Sequence, residues 1–176
     1  RPKFPFPPDE AGLNGCKSAW RSMNAALLWA VDQFSFEDYE FLNKINGQEL
    51  SKKVDGYGYV IGYHAIPGDD ETTLFPDTPE NEAVDFFLDR EGWLGVGGHT
   101  HVQMDRNLGR WRAINVGSVG APMDVKGQAG WGLLTFENRQ VEVDLRRVAF
   151  DPEAIITELN NVGYPSVEWT AERLRG

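Results

Sequence analysis

Two short apolar runs, each closed by histidine, constrain this chain more than any other feature. "GYGYVIGYH" (56–64) is aromatic and β-branched and reads as a strand ending at His64. "WLGVGGH" (93–99) reads as a short buried strand that delivers His99 and, two residues on, His101. The chain holds three histidines in 176 residues, and all three fall at these strand ends. In α/β sheets, ligands gather outside the carboxyl ends of the strands, so two such strands side by side would bring the imidazoles together. In an extended stretch, residues i and i+2 point the same way, so His99 and His101 are expected to face one cavity. Gly97 and Gly98 would let the backbone approach it closely. Neutral imidazole is a ligand for zinc, iron, nickel and manganese. An isolated H-x-H pair is a weak motif; the metal reading rests on all three histidines sharing this placement.

The remaining segments are assigned from their periodicity. Residues 1–22 read as an irregular lead-in, proline-rich at its start. A helical segment covers 23–50: "MNAALLWAVDQF" (23–34) has apolar residues at helical spacing, and "SFEDYEFLNKI" (35–45) opens with a capping-box-like Ser35 and Asp38. Residues 54–150 form a β-sandwich portion with one helix, which Thr78 caps, Pro79 starts and Arg90 ends. Its later strands are "RWRAINV" (110–116), "GWGLLTFE" (130–137) and "QVEVDLRRV" (140–148), the last alternating apolar and charged residues as a half-solvated strand does. C-terminal helices, begun by Asp151-Pro152 and by Ser166, fill 151–176. The whole of 1–176 is taken as a single domain. Trp93, Trp111 and Trp131 read as core.

With 41% hydrophobic residues the chain has material for a packed core, and its net charge of −10 excludes a broad nucleic-acid-binding surface. A small phosphate ester remains compatible with that charge, because a bound metal supplies its own positive field. The single cysteine, Cys16, makes no intrachain disulfide, which fits the cytoplasm. No apolar run reaches the roughly 20 residues that cross a bilayer.

"GHTH" followed by "INVGSVG", and preceded by a strand ending in "YHAIPGDDE", resembles the calcineurin-like metallophosphoesterases, with the YfcE-like and diadenosine-tetraphosphatase-related bacterial members nearest. The resemblance spans 24–150. It implies an α/β fold, part of a four-layer α-β-β-α sandwich with the leading strands of the first sheet missing from this chain. It further implies two divalent metal ions (Mn, Fe, Zn, Ni or Mg) roughly 3.5–4 Å apart. His64 and His99 match ligands of the second metal and His101 a ligand of the first. Asn115, Gly117 and Ser118 match the segment that supports the site on its substrate side. The implied reaction is hydrolysis of a phosphate mono- or diester by a metal-bound hydroxide. The substrate is a small-molecule phosphate ester or a phosphoprotein.

The chain departs from the family in one large respect. The Asp-x-His, Gly-Asp-x-x-Asp and Gly-Asn-His-Asp/Glu motifs are absent from these 176 residues. Ala65 stands where the family has glycine. The resemblance therefore implies a missing N-terminal segment or a second polypeptide that brings the aspartates. Two other readings remain: a non-catalytic fragment or protein-interaction module, and a structural site with one metal on the three histidines. Asp69, Asp70, Glu71 and Asp105 lie close in sequence to the histidines, and Arg106, Arg110 and Arg112 are candidate phosphate holders. For the four acids, and for Arg110 and Arg112, an ordinary solvated loop or strand face is the favoured reading.

Overall fold

In the computed structural model, which describes residue 7 and residues 9–175, the two apolar runs become neighbouring parallel strands. Strand β2 (Gly58–Gly62) pairs with β3 (Leu94–Gly97) in the register Val60↔Leu94, Ile61↔Gly95, Gly62↔Val96. Upstream, β1 (Leu50–Val54) folds back on β2 through a turn in which Gly56 takes φ 75°, a left-handed conformation that glycine adopts without steric cost. On the other side β3 pairs in parallel with β5 (Trp111–Asn115), which pairs in antiparallel with β4 (Met104–Leu108). The order across this mixed five-stranded sheet is β1-β2-β3-β5-β4. A second sheet is the hairpin β6 (Gln128–Glu137) with β7 (Gln140–Ala149). Its two-residue loop, Asn138 and Arg139, has positive φ at both positions, as the twist of a tight hairpin requires.

Helix α1 (Glu10–Asp32) and α2 (Phe36–Ile45) precede the sheet, α3 (Glu80–Asp85) lies between β2 and β3, and α4 (Pro152–Asn161) and α5 (Val167–Arg175) follow it. Together these elements make a mixed α/β protein. The chain divides into two compact units, one of residues up to Phe41 with those from Asp151 onward and one of Leu42–Phe150.

The lead-in assigned to 1–22 is helical from Glu10 onward; its first six residues and residue 8 lie outside the described residues. Asp9 caps α1 by accepting from the Gly12 amide at 2.7 Å. Once a helix exists, extending it adds a hydrogen bond for each residue ordered, so the apolar-periodic half carries the glycine-containing turns before it. Two strands had no assignment of their own: β1, whose Lys52 and Lys53 hide the β pattern, and β4, whose "MDRNL" lacks β-branched residues. The middle helix is short. Pro79, not Thr78, occupies its cap position, and Asp89 turns to φ 62° before Arg90. The capping box of α2 is present: the Asp38 carboxylate accepts from the Ser35 amide (2.9 Å), while Ser35 Oγ accepts from the Asp38 amide (3.2 Å). Asp151 caps α4 through the Glu153 amide, with Pro152 at its first turn.

The core of the larger unit gathers Ile61, Leu74, Ala83, Phe87, Met104, Leu108, Trp111 and Ala113, with Phe87 stacked on Trp111 at 5.0 Å between ring centroids. Only one of the three tryptophans read as core is there. Trp93 is 52% exposed and Trp131 37% exposed, each under an arginine, Arg110 and Arg146 respectively. Neither α1 nor α2 buries a residue, and Leu27, Leu28, Phe36 and Tyr39 are all more than half exposed.

Candidate metal centre

Parallel pairing of β2 with β3 continues past both strands. The Tyr63 amide donates to Val96 O (3.0 Å) and the Gly98 amide donates to His64 O (2.9 Å), so His64 and His99 leave the sheet side by side. His99 Nδ1 lies 3.0 Å from His64 Nε2, with the rings 4.9 Å apart and edge to face. One nitrogen donates and the other accepts. This is the convergence the strand ends implied for these two histidines.

His101 departs from the expected geometry. The chain is not extended here: His99 has φ 67° and His101 φ 59°. The Thr100 amide donates to Gly98 O at 2.8 Å, closing a three-residue turn centred on His99, a rare and strained conformation for a residue with a side chain. His99 and His101 therefore do not share a face by i, i+2 alternation. His101 Nδ1 is held instead by Ala121 O at 2.8 Å, and the Met123 amide donates to His101 O at 3.0 Å. Among the described residues, no group of three or more His, Cys, Asp or Glu side chains converges closely enough to hold a metal.

The supporting turn is well tied. Asn115 is 4% exposed, and its amide nitrogen donates to Gly98 O and to Thr100 Oγ1 while its oxygen accepts from the Gly117 amide (2.9 Å). Gly117 has φ 83°, and a Cβ there would meet Gln103 Cγ at 2.8 Å. Ser118 Oγ accepts from the Ala121 amide at 3.1 Å.

Nearby charged groups are committed elsewhere. Asp69 takes hydrogen bonds from Thr72 Oγ1 (2.6 Å), the Glu71 amide (2.7 Å) and the Thr72 amide (3.1 Å), which hold its carboxyl below the usual range; the His99 charge is the weakest contribution. Asp70 accepts from the Gly47 amide, and Asp105 binds Arg112 through both oxygens at 2.8 and 2.6 Å. Arg106 donates to Phe75 O and Thr78 O, and Arg110 to Arg90 O. These arginines pin loops.

Two further residues shape the site. Tyr63 packs its ring over Gly95 and Gly97, against Phe87, with its hydroxyl buried and without a partner among the described residues. Burial pushes that phenol well above its ordinary pKa. The signal in sequence was the pair of glycines at alternate positions of one strand, which leaves a slot for a ring. Gln103 is the other: its Nε2 reaches Val116 O, Trp131 O and Arg146 O, joining the hairpin sheet to the loop behind His101.

Two of the three histidines present a pair of nitrogens whose spacing suits a shared ion. Two nitrogens 3.0 Å apart are close enough that both could reach one ion at the roughly 2.0–2.1 Å of zinc–imidazole bonds. At His101, a carbonyl can only accept, so Nδ1 carries the proton and Nε2 keeps its lone pair, the arrangement in which ligating histidines are usually fixed. Carboxylate donors are not among the groups gathered here.

This arrangement of a mixed sheet with its flanking helices is similar to that of solved structures. The chain shares it with the crystal structure of a metallophosphoesterase from Sphaerobacter thermophilus, at TM-score 0.64 and 20% identity, over 84% of this chain and 65% of that one. It shares it also with a hypothetical protein from Pyrococcus horikoshii OT3, at TM-score 0.65 and 19% identity, over 80% of this chain and 54% of that one. The chain thus spans between about half and just under two thirds of these proteins. No family model matches the sequence, and no curated protein sequence matches it significantly.

Proposed function

We propose that this protein is a metal-dependent phosphoesterase acting on a phosphate mono- or diester, either a small molecule or a phosphoprotein, in the cytoplasm. The observation that carries the reading is the His64–His99 nitrogen pair, 3.0 Å apart at the ends of neighbouring parallel strands. His64 and His99 would hold one divalent ion, and His101, through Nε2, would hold a second; manganese, iron, zinc, nickel and magnesium are the candidates. When bound, the ions neutralise charge on the phosphoryl oxygens and activate water. The chain's own part is to orient: Asn115 and Gly117 form the floor under the histidine turn, and the Ser118 hydroxyl, whose oxygen accepts from the Ala121 amide, keeps a proton to donate toward the substrate side. The carboxylate ligands come from a segment or second polypeptide outside this sequence. No helix among the described residues is long and apolar enough to cross a membrane.

The test is hydrolysis of p-nitrophenyl and bis-p-nitrophenyl phosphate by the complete protein, carboxylate-bearing segment included, with added Mn²⁺. His99→Ala is expected to abolish metal-dependent turnover, and an undiminished rate would sink the assignment. A second reading, a non-catalytic module that uses the same half-fold for protein contacts, draws on the commitment of Asp69, Asp70 and Asp105 to other partners. Turnover by this polypeptide alone excludes it.

A further inference from the structure

We propose that Asn115 is a positioning residue that sets the geometry of the histidine donors, an inference that rests on the metal reading above. Its single carboxamide bridges both sides of the strained turn. One N–H goes to Gly98 O, immediately before His99, and the other to Thr100 Oγ1, immediately after it at 2.9 Å. The oxygen is fixed in turn by the Gly117 amide at 2.9 Å. Asn115 and Thr100 are the two buried polar residues of the described chain, at 4% and 9% exposure. Buried polar groups are costly unless fully paired, and here every polar atom of the carboxamide is paired with the residues flanking one histidine or with the turn that leads to the other. A left-handed φ at a non-glycine residue persists where the surroundings over-determine it. At His99 the over-determination comes from Asn115.

The same turn reaches His101. From Asn115 the chain runs through Gly117 to Ser118, whose Oγ accepts from the Ala121 amide, and Ala121 O receives His101 Nδ1–H. One glycine-rich segment, 115–121, thereby fixes the backbone of His99 and the tautomer of His101. Its side-chain chemistry is directed at the histidines.

Three variants of the full-length protein test this: Asn115→Ala, Thr100→Val, which keeps the shape of threonine and removes the acceptor, and Leu108→Ala as a control. Leu108 pairs with Trp111 at the opposite end of the β4–β5 ladder from Asn115, which pairs with Met104. The first readout uses metal-free protein: imidazole ¹⁵N–¹H NMR of His64, His99 and His101. Asn115→Ala and Thr100→Val are expected to lose the His64–His99 hydrogen-bond signature while Leu108→Ala keeps it. The second readout is Co²⁺ affinity by visible absorption. The same two variants are expected to bind roughly 10–100-fold more weakly, the usual effect of removing a group that orients a ligand. Unchanged imidazole signals and affinity in Asn115→Ala and Thr100→Val overturn the proposal, as does an equal loss in Leu108→Ala. If the unsubstituted protein binds no Co²⁺ while the imidazole signals still respond, the metal reading fails and the positioning role stands.

Discussion

Adding one methyl group at Gly97 tests the packing that aims His64. An ideal Cβ built on Gly97 lies 2.2 Å from Tyr63 Cε2 and 2.7 Å from Cδ2. Carbon atoms rest at about 3.5–4.0 Å, so the ring must retreat by more than 1 Å or so. It has little room: a Cβ on Gly95 would already meet Tyr63 Cε1 at 3.0 Å, and Phe87 packs edge-on at 5.9 Å between centroids. Overpacking of this kind costs about 1–3 kcal/mol. At roughly 2–4 °C per kcal/mol for a chain of this size, Gly97→Ala is expected to melt about 2–12 °C below the parent. Gly98→Ala is the matched control. Its nearest new contact is His64 O at 3.9 Å, ordinary van der Waals distance, and its melting temperature is expected to stay within about 1 °C, as for surface substitutions. Thermal melts by circular dichroism on both variants decide the matter. Shrinking the ring with Tyr63→Leu on the Gly97→Ala background should return part of the loss, as coupled neighbours do. Equal melting temperatures for Gly97→Ala and Gly98→Ala would refute the reasoning.

Other expectations follow from the same contacts. Tyr63→Phe removes a buried hydroxyl that has no partner among the described residues, so urea unfolding should show it more stable by about 1 kcal/mol or more; a loss of stability would reveal a partner for that hydroxyl. Asp124 binds Arg147 through both oxygens and accepts from the Gln103 and Val125 amides, and the Arg147 guanidinium above all holds its carboxyl far below the usual range. A carboxyl with a depressed folded pKa stabilises above its unfolded pKa of about 4 and loses that contribution as pH falls further. Asp124→Asn should therefore flatten the acid limb of melting temperature against pH below about 4 and leave the slope above it unchanged. An acid limb as steep as the parent's would place the titrating group elsewhere.

The fold was legible where one residue type has one local consequence. Ser35 three residues before Asp38 can pair reciprocally with the helix amides, and does; Asp151 before Pro152 caps a helix, and does. The runs ending at His64 and at Gly97 are strands because β-branched and aromatic residues fill a pleated, buried surface. Legibility fails where neighbours decide. Trp93 and Trp131 have the composition of core and the position of surface, while Trp111, two residues before Ala113 on β5, is buried against Phe87. Asp105 stands four residues after His101 in sequence, yet Arg112 on the adjoining strand takes both its oxygens.

The sequence by itself determined that the three histidines would stand at strand ends, since strand termini follow from local apolar runs and the glycines that close them. Only the tertiary structure decided which of them meet. His64 and His99 are brought together by backbone hydrogen bonds between distant segments, while His101, itself left-handed, has its ring held by Ala121 O and its backbone carbonyl by the Met123 amide. Such a conformation is unfavourable for any isolated histidine, so no local pattern announces it; it exists because buried polar groups from another strand leave the loop no better way to pair them.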